Sequence, residues 1–178
     1  MNLSSPSEIK ALLQKNGFNF SKALGQNFLI NPSVCPRMAE AAIPGPEYGV
    51  IEVGPGIGVL TRELSARYKT VKALEIDEKL LPVLKYTLND CHNVTVINDD
   101  VMKADLESIL APYFERGKVS VCANLTYYIT TPILMKLLES GLPFEYITIM
   151  IQSEVADRLC VAPGSKNCGA ITSVLNYY

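Results

Sequence analysis

Five short runs of mostly apolar, β-branched residues alternate along this chain with segments in which apolar residues recur every three or four positions. Continuous apolar runs are typical of parallel strands that are covered on both faces, and the helical segments between them supply the crossover connections. The alternation therefore predicts an α/β fold, a mostly parallel sheet flanked by helices. The predicted strands are Tyr48–Val53, Thr70–Ile76, Asn93–Asn98, Lys118–Asn124 and Phe144–Ile151.

Helical periodicity predicts the elements that surround these strands. The predicted helices are GVLTRELSARY, EKLLPVLKYTL, ADLESIL, TPILMKLLES and SEVADRL, with one more, PSEIKALLQKNGF, ahead of an N-terminal arm, NFSKALGQNFLINP. The last stretch, Gly169–Tyr178, reads as a further strand that ends without a turn. Because proteins usually avoid or protect an unpaired sheet edge, we expect a chain that is cut short at this point.

The length of the chain suits one domain. Its 178 residues, 48% of them hydrophobic, suffice for a full core and leave little room for a second one. We therefore expect a single domain over residues 1–178, in which residues 1–47 form the N-terminal helix and arm and residues 48–178 form the truncated core.

Composition argues against several classes of protein. The apolar runs are shorter than the roughly 18 residues that a membrane span needs, and the start MNLSSPSEIK lacks the apolar stretch of a signal peptide. We therefore expect a soluble, cytoplasmic protein. The five cysteines form no C-x-x-C pair, and His92 is the only histidine. A disulfide framework, a zinc or other metal site and a histidine-based nucleophilic triad are therefore not predicted.

The charge balance bears on nucleic-acid binding. A net charge of −2 gives no basic excess, whereas phosphate binding usually shows as one. Lys10, Lys15 and Lys22 near the N-terminus could form a local basic patch, although scattered lysines usually form only a solvated surface.

The most specific local pattern is VIEVGPGIGVLTREL, which reads as a strand, a glycine-rich turn and an amphipathic helix. Gly54, Gly56 and Gly58 follow G-x-G-x-G, whereas the dinucleotide fingerprint would place a glycine at Val59. S-adenosylmethionine sites commonly carry E-x-G-x-G-x-G, and Glu52 completes that pattern here. The turn lets the backbone approach a ligand closely, and the helix N-terminus offers amides to a ligand carboxylate.

Acidic residues follow the next two strands. Glu75 closes the second strand about 20 residues beyond the turn, where a carboxylate is expected to accept the hydrogens of both ribose hydroxyls. Asp77 fits the N-cap of the following helix instead. After the third strand, Asp99 or Asp100 could accept from the exocyclic amine of a bound adenine, while the Val101 amide meets a ring nitrogen. Spacing alone leaves the choice between the two aspartates open.

The fourth strand ends in VCANLTYYITTP, in which Asn124-Leu125-Thr126-Tyr127 resembles the (D/N)-P-P-Y motif of amino-group methyltransferases. The lone pair of the adenine amine is delocalised into the ring and must be freed before it can attack a methyl group. The Asn124 side-chain oxygen and the Leu125 carbonyl can accept the two amine hydrogens as charge develops. Tyr127 would stack on the ring of a base flipped out of its helix.

These residues also fit two other interpretations. Asn124-Leu125-Thr126 also matches the N-x-[ST] glycosylation pattern, which we set aside because nothing directs the chain to a secretory compartment. Without the other motifs, Tyr127 and Tyr128 would be interpreted as core aromatic residues.

Taken together, these motifs resemble those of the ribosomal RNA adenine dimethyltransferase family, whose bacterial members modify two adjacent adenines near the 3′ end of small-subunit rRNA. The segments that carry the resemblance are KALGQNFLINP, VIEVGPGIGVLTREL, LEID, VCANLTYYITTPILMKLL and MIQSEVADRLCVAPGSKNCGAITSVLNYY. The resemblance implies a Rossmann-like, S-adenosylmethionine-dependent methyltransferase that lacks the family's last strand and C-terminal helical domain. It also implies rRNA within an immature 30S particle as the substrate, and we expect a monomer that uses no metal.

The resemblance assigns roles residue by residue. Asn124, Leu125 and Tyr127 are implied at the acceptor amine. It favours Asp100 over Asp99, and it adds two residues of the arm that the residues alone did not single out. The implied cofactor contacts are Asn27, Leu29, Gly54, Glu75, Asp100 and Asn124.

One departure from the family pattern affects the predicted activity. The family motif is N-(L/I)-P-Y, and this chain has Thr126 where proline is usual. The Leu125 carbonyl is retained, but the fixed φ of proline and its restriction of the preceding residue are lost. We therefore expect slower methyl transfer than a proline would give.

Three alternative functions share these motifs. One is a large-subunit rRNA adenine dimethyltransferase that confers antibiotic resistance, and another is a noncatalytic ribosome-assembly factor that keeps the fold. A third is a methyltransferase that acts on a small molecule or a protein amide. The GQNFLINP arm together with EVADR favours the small-subunit enzyme over the resistance enzyme.

Overall fold

A parallel sheet of five strands forms the centre of the protein in the computed structural model. The strands are β1 (Gly49–Val53), β2 (Thr70–Glu75), β3 (Val94–Asn98), β4 (Val119–Asn124) and β5 (Phe144–Met150), in the order β3-β2-β1-β4-β5. All four neighbouring pairs are parallel, which confirms the predicted fold class and all five predicted strands. The structure describes residues 3, 5–16, 31–42, 45, 47–114, 118–125, 127–161, 165 and 170–175.

Helices cover both faces of the sheet. Every residue of β1 is buried, as expected for a central strand covered on both sides. A short 3₁₀ turn, Glu78–Leu80, precedes α4. The helices are α1 (Pro6–Lys15), α2 (Val34–Ala41), α3 (Val59–Ser65), α4 (Leu81–Thr87), α5 (Leu106–Phe114), α6 (Tyr127–Glu139), α7 (Ser153–Leu159) and α8 (Ala170–Leu175).

The side chains of β1 divide between two cores because successive residues of a strand point to opposite faces. Ile51 and Val53 pack in one core with residues of α5 and α6. Val50 packs in the other, with residues of α2 and α3. A third cluster joins α1 to α4 through residues such as Leu13 and Leu84.

The chain order reverses between β1 and β4. The connection from β1 leads to β2 and then to β3 on one side, whereas β4 and β5 lie on the other. Open α/β sheets bind ligands at such a reversal, outside the carboxyl ends of the strands. In this protein the reversal brings the ends of β1 and β4 side by side, with Val53 paired to Ala123.

Helix α6 begins earlier than its sequence predicted. A start at Thr131 was expected, but the helix begins at Tyr127 and continues through Pro132. The residues on its buried side, Thr130, Ile133 and Leu137, are each 1% exposed and follow helical spacing. This buried stripe begins before Pro132. The stabilisation from burying it therefore exceeds the cost of the backbone hydrogen bond that the proline cannot donate.

The prediction of a strand over Gly169–Tyr178 is wrong for the described part of that stretch. Ala170–Leu175 form helix α8, which packs against α7. The β-branched residues suggested a strand, but Thr172 is fully buried and donates from Oγ1 to the Arg158 carbonyl oxygen at 2.7 Å. Tertiary packing has overridden local propensity at this position.

None of the helices formed by the described residues is long and apolar enough to cross a membrane.

Candidate functional site

The predicted site residues that the structure describes lie where four neighbouring strands end. Gly54 follows β1, Glu75 closes β2, Asp100 follows β3 and Asn124 closes β4. Parallel strands present all their carboxyl ends at one edge of the sheet, and these four residues therefore share that edge. We call it the carboxyl edge.

Two glycines of the turn after β1 occupy different surroundings. The Gly54 amide donates to the Leu74 carbonyl oxygen at 2.9 Å, and its φ is +71°. Apart from Gly54 itself and its two chain neighbours, no described residue has an atom within 4 Å of the place where a Gly54 Cβ would stand. Gly58 has a φ of +88°, and a Cβ there would come within 3.0 Å of Leu88 Cδ2. Gly54 therefore borders open space, whereas Gly58 permits close packing of the turn on the end of α4.

Glu75 links the end of β2 directly to the glycine turn. Its side chain is 3% exposed, and Oε2 accepts from the Gly56 amide at 3.2 Å. Oε1 accepts from the Asp77 amide at 3.0 Å. Burial raises the pKa of Glu75, and these backbone hydrogen bonds oppose that rise. The carboxyl group is thus fixed beside the turn.

Asp77 has the capping role that the sequence predicted. Its Oδ1 accepts from the Lys79 amide at 3.0 Å, and Asp77 is the N-cap of the 3₁₀ turn ahead of α4. The predicted capping role of Asp77 is therefore confirmed. The binding of ribose by Glu75 stays a prediction.

The turn after β3 is tied to the end of β2. The Asn98 side-chain amide and the Asp99 backbone amide both donate to the Glu75 carbonyl oxygen, at 2.7 and 3.2 Å. Asp99 Oδ1 accepts from the Asp100 amide at 2.7 Å, and Asp100 Oδ1 accepts from the Met102 amide at 2.9 Å. The two aspartates are therefore ordered next to Glu75, and the choice between them as adenine ligands stays a prediction.

The end of β4 holds the predicted acceptor motif against β5. Asn124 pairs with Met150, and the Leu125 amide donates to the Met150 carbonyl oxygen at 3.1 Å. The Leu125 side chain is 6% exposed and belongs to the core. This anchoring fixes the backbone at Leu125, whose carbonyl is the predicted acceptor for the adenine amine.

Some predicted positions lie outside the described residues. Asn27 and Leu29 of the arm and Thr126 of the acceptor motif are among them. The backbone of Tyr127 is described as the first residue of α6, but its side chain is not. Their predicted roles stay predictions.

Glu52 is a buried carboxyl group beneath the glycine turn. It is 1% exposed and lies on the face of β1 opposite Ile51 and Val53. Among the described residues, neither Glu52 Oε2 nor Thr61 Oγ1 has a hydrogen-bond partner. Burial raises the pKa of Glu52 to about 8, the nearby Thr61 hydroxyl opposes that rise, and the charge of Glu75 adds to it. The sequence marked Glu52 as part of the glycine motif but gave no sign of its depth.

This sheet, its glycine turn and the acid that closes β2 define a Rossmann-like domain. Two solved structures are similar to this chain in both fold and amino-acid sequence. One is a 23S rRNA methyltransferase, ErmE, with 32% identity and a TM-score of 0.65, matching 74% of this chain and 50% of that one. The other is a dimethyladenosine transferase from Plasmodium falciparum, with 25% identity and a TM-score of 0.70, matching 83% of this chain and 51% of that one.

The chain belongs to the ribosomal RNA adenine dimethylase family, whose model matches residues 17–178. It is 50% identical over 177 residues to proteins named ribosomal RNA small subunit methyltransferase A from Bacillus mycoides and Bacillus thuringiensis. The match covers 99% of this chain and 61% of each of those proteins. The chain therefore spans about three fifths of the length of these relatives. The family that the sequence motifs predicted is confirmed.

Proposed function

We propose that this chain is the catalytic domain of an S-adenosylmethionine-dependent enzyme that dimethylates the N6 amines of adenines in small-subunit rRNA, as a step in ribosome biogenesis. The observation that carries the proposal is the arrangement at the carboxyl edge. Glu75, at the end of β2, accepts a hydrogen bond from the Gly56 amide of the glycine turn. Asn124 ends β4, which lies on the other side of β1. The 50% identity to small-subunit methyltransferases supports the choice of substrate.

The residues at the edge fit S-adenosylmethionine. The open space beside Gly54 leaves room for a ligand against the backbone. Glu75 is proposed to accept from the ribose hydroxyls, and Asp100 is proposed to accept from the adenine amine. Asn27, Leu29 and Asn124 are the further contacts proposed from the family pattern. When bound there, the cofactor supplies a methyl group on a positively charged sulfur.

The acceptor motif prepares the adenine amine for attack. The Asn124 side-chain oxygen and the Leu125 carbonyl accept the two hydrogens of N6, which favours a tetrahedral nitrogen as positive charge develops on it. Tyr127 is proposed to stack on the base. The chain needs no strong base, because a newly alkylated amine cation is acidic and loses its proton to water. Catalysis on this account depends largely on the relative positions of amine and methyl group.

The proposed substrate is rRNA within an immature 30S particle. We propose that the protein acts there as a monomer, in the cytoplasm and without a metal ion. The similarity to ErmE favours one second candidate, dimethylation of large-subunit rRNA. The higher identity to proteins named for the small subunit makes small-subunit rRNA the first choice.

Methyl transfer from labelled S-adenosylmethionine to three acceptors separates these functions. We expect labelling of immature small subunits, and little labelling of large-subunit RNA or free adenosine. A Glu75→Gln variant should bind the cofactor at least about tenfold more weakly, because an amide cannot accept from both ribose hydroxyls as a carboxylate does. Labelling of free adenosine but not of ribosomal particles would overturn the proposal. Cofactor binding without labelling of any acceptor would favour a noncatalytic assembly factor.

A further inference from the structure

Exposed nonpolar side chains are concentrated at the carboxyl edge. Six large nonpolar or aromatic side chains are exposed in the described part of the chain. Two of them lie away from the carboxyl edge, Tyr86 on α4 and Tyr146 on β5. The other four follow the strands that build the site, and Tyr128, at 86% exposure, is the most exposed of them. Those four are Ile76, Met102, Tyr128 and Ile129.

Tyr128 lies outside the buried side of α6. The helix buries Thr130, Ile133, Leu134 and Leu137. Tyr128 lies on the other side of the helix, where Thr131 and Pro132 are also exposed. The ring is nevertheless held in a defined place, because it is carried by the second residue of a helix that starts directly after the acceptor motif.

We infer that the Tyr128 ring stacks on the nucleobase that adjoins the target adenine in the RNA strand. The inference rests on the function proposed above. Positions 127 and 128 are about 100° apart around the helix axis, so position 128 faces a different direction from the position proposed to stack on the target base. An exposed aromatic ring beside the site is suited to a second, unpaired base, since every base offers a face for stacking.

The charge of the protein favours the same kind of contact. A net charge of −2 provides little general attraction for a polyanion. The carboxyl edge also carries Asp99 and Asp100, and the Lys103 ammonium lies 3.9 Å from the Asp100 carboxylate. The attraction of the protein for RNA phosphates is therefore partly offset by the negative charge of nearby aspartates. Stacking on a base can hold the RNA strand at the site without relying on that attraction.

The test compares Tyr128→Ala and Tyr128→Phe with wild type in steady-state methylation of immature small subunits. Tyr86→Ala is the matched control, because Tyr86 is also an exposed tyrosine, 55% exposed, but on α4. We expect Tyr128→Ala to raise the KM for the particle about tenfold, within the range for loss of one stacked base, and to leave kcat nearly unchanged. Tyr128→Phe should restore the wild-type KM because it retains the ring face, and no variant should change the affinity for S-adenosylmethionine.

The outcomes distinguish this inference from the proposed function. If wild type methylates the particles and Tyr128→Ala has the same KM, the inference is wrong and the proposed function stands. An equal rise in KM for Tyr86→Ala would also overturn it, since the effect would then not belong to the site. If wild type methylates no RNA, the proposed function fails and the inference fails with it.

Discussion

At the scale of single residues, the site contains two buried carboxyl groups, those of Glu52 and Glu75. Glu75 is nearly inaccessible, yet its two oxygens accept from the amides of Gly56 and Asp77. Glu52 is equally buried, but its Oε2 has no such partner among the described residues. Burial favours the neutral form of an acid, and at Glu52 this effect outweighs the opposing influence of the Thr61 hydroxyl on the pKa. The two glutamates therefore differ in what they contribute: Glu75 offers fixed acceptors, and Glu52 has a raised pKa that favours its neutral form.

The proton on Glu52 predicts a dependence of stability on pH. Its pKa rises from an ordinary 4.5 to about 8 in the folded protein. Between these values the unfolded chain ionises while the folded chain keeps the proton, so the free energy of unfolding falls as pH rises. A Glu52→Gln variant cannot ionise. It should therefore be more stable than wild type at pH 8 by more than about 1 kcal/mol, with the advantage shrinking towards pH 5.

Urea denaturation from pH 5 to pH 8.5 measures this difference. Glu107→Gln is a suitable control because Glu107 is exposed on α5. A Glu52→Gln effect that does not change with pH would contradict the assignment of the proton.

Thr126 is the residue at which the acceptor motif departs from its family. We expect Thr126→Pro to increase the rate of methyl transfer, because proline fixes its own φ at about −65° and restricts the conformation of Leu125. Thr126→Ala should give no increase. Single-turnover methylation at saturating cofactor measures the effect, and a proline variant that is no faster than wild type would refute it.

At the scale of elements, the turn between β1 and α3 combines two tasks in one short segment. Gly58 lets the turn approach α4, and Gly54 leaves space at the carboxyl edge. Either glycine replaced by alanine would place a Cβ at positive φ, which costs roughly 1–2 kcal/mol. What distinguishes the two positions is the neighbour that the added methyl group meets.

Alanine substitutions at these two glycines should therefore have different effects. Gly58→Ala should lower the free energy of unfolding by roughly 2 kcal/mol or more, because its Cβ would meet Leu88 at 3.0 Å and Thr87 at 3.1 Å. Gly54→Ala should destabilise the fold less and should weaken cofactor binding more. Urea denaturation and calorimetric titration with S-adenosylmethionine measure the two quantities. Equal loss of binding in both variants would count against a ligand beside Gly54.

The elements that the sequence predicted well are those whose local signal agrees with their packing. The run at β1 is apolar and buried throughout, and the strand prediction was confirmed. Residues 170–175 gave a strand signal, but the contacts of Thr172 with α7 decide for a helix. The start of α6 was missed for the same reason, since its buried stripe begins before Pro132. Contacts between elements are not visible in the spacing of residues.

Prediction of the site followed the same rule. Glu75 and Asn124 were predicted at strand ends, and β2 and β4 do end at these residues. The hydrogen bond from the Gly56 amide to Glu75 joins residues 19 positions apart and needed the structure. The exposure of Tyr128 also needed it, because two consecutive tyrosines look alike in a sequence.

At the scale of the whole molecule, the proposed function depends on the carboxyl edge of the sheet. The reversal of strand order beside β1 brings together the glycine turn, Glu75, the turn at Asp100 and the end of β4. Helices and the opposite faces of the strands supply the packing that holds these groups in place. The central claim is that this edge transfers methyl groups to adenine N6, with Asn124 accepting from the amine.

The most direct test is mass spectrometry of nucleosides from immature small subunits after incubation with S-adenosylmethionine that carries a deuterated methyl group. Wild type should produce N6,N6-dimethyladenosine with two labelled methyl groups. At saturating cofactor, Asn124→Ala should reduce its rate of formation about 100-fold, the cost typical of removing one group that stabilises charge in the transition state. Absence of the labelled nucleoside with wild type, or an Asn124→Ala rate equal to that of wild type, would contradict the account.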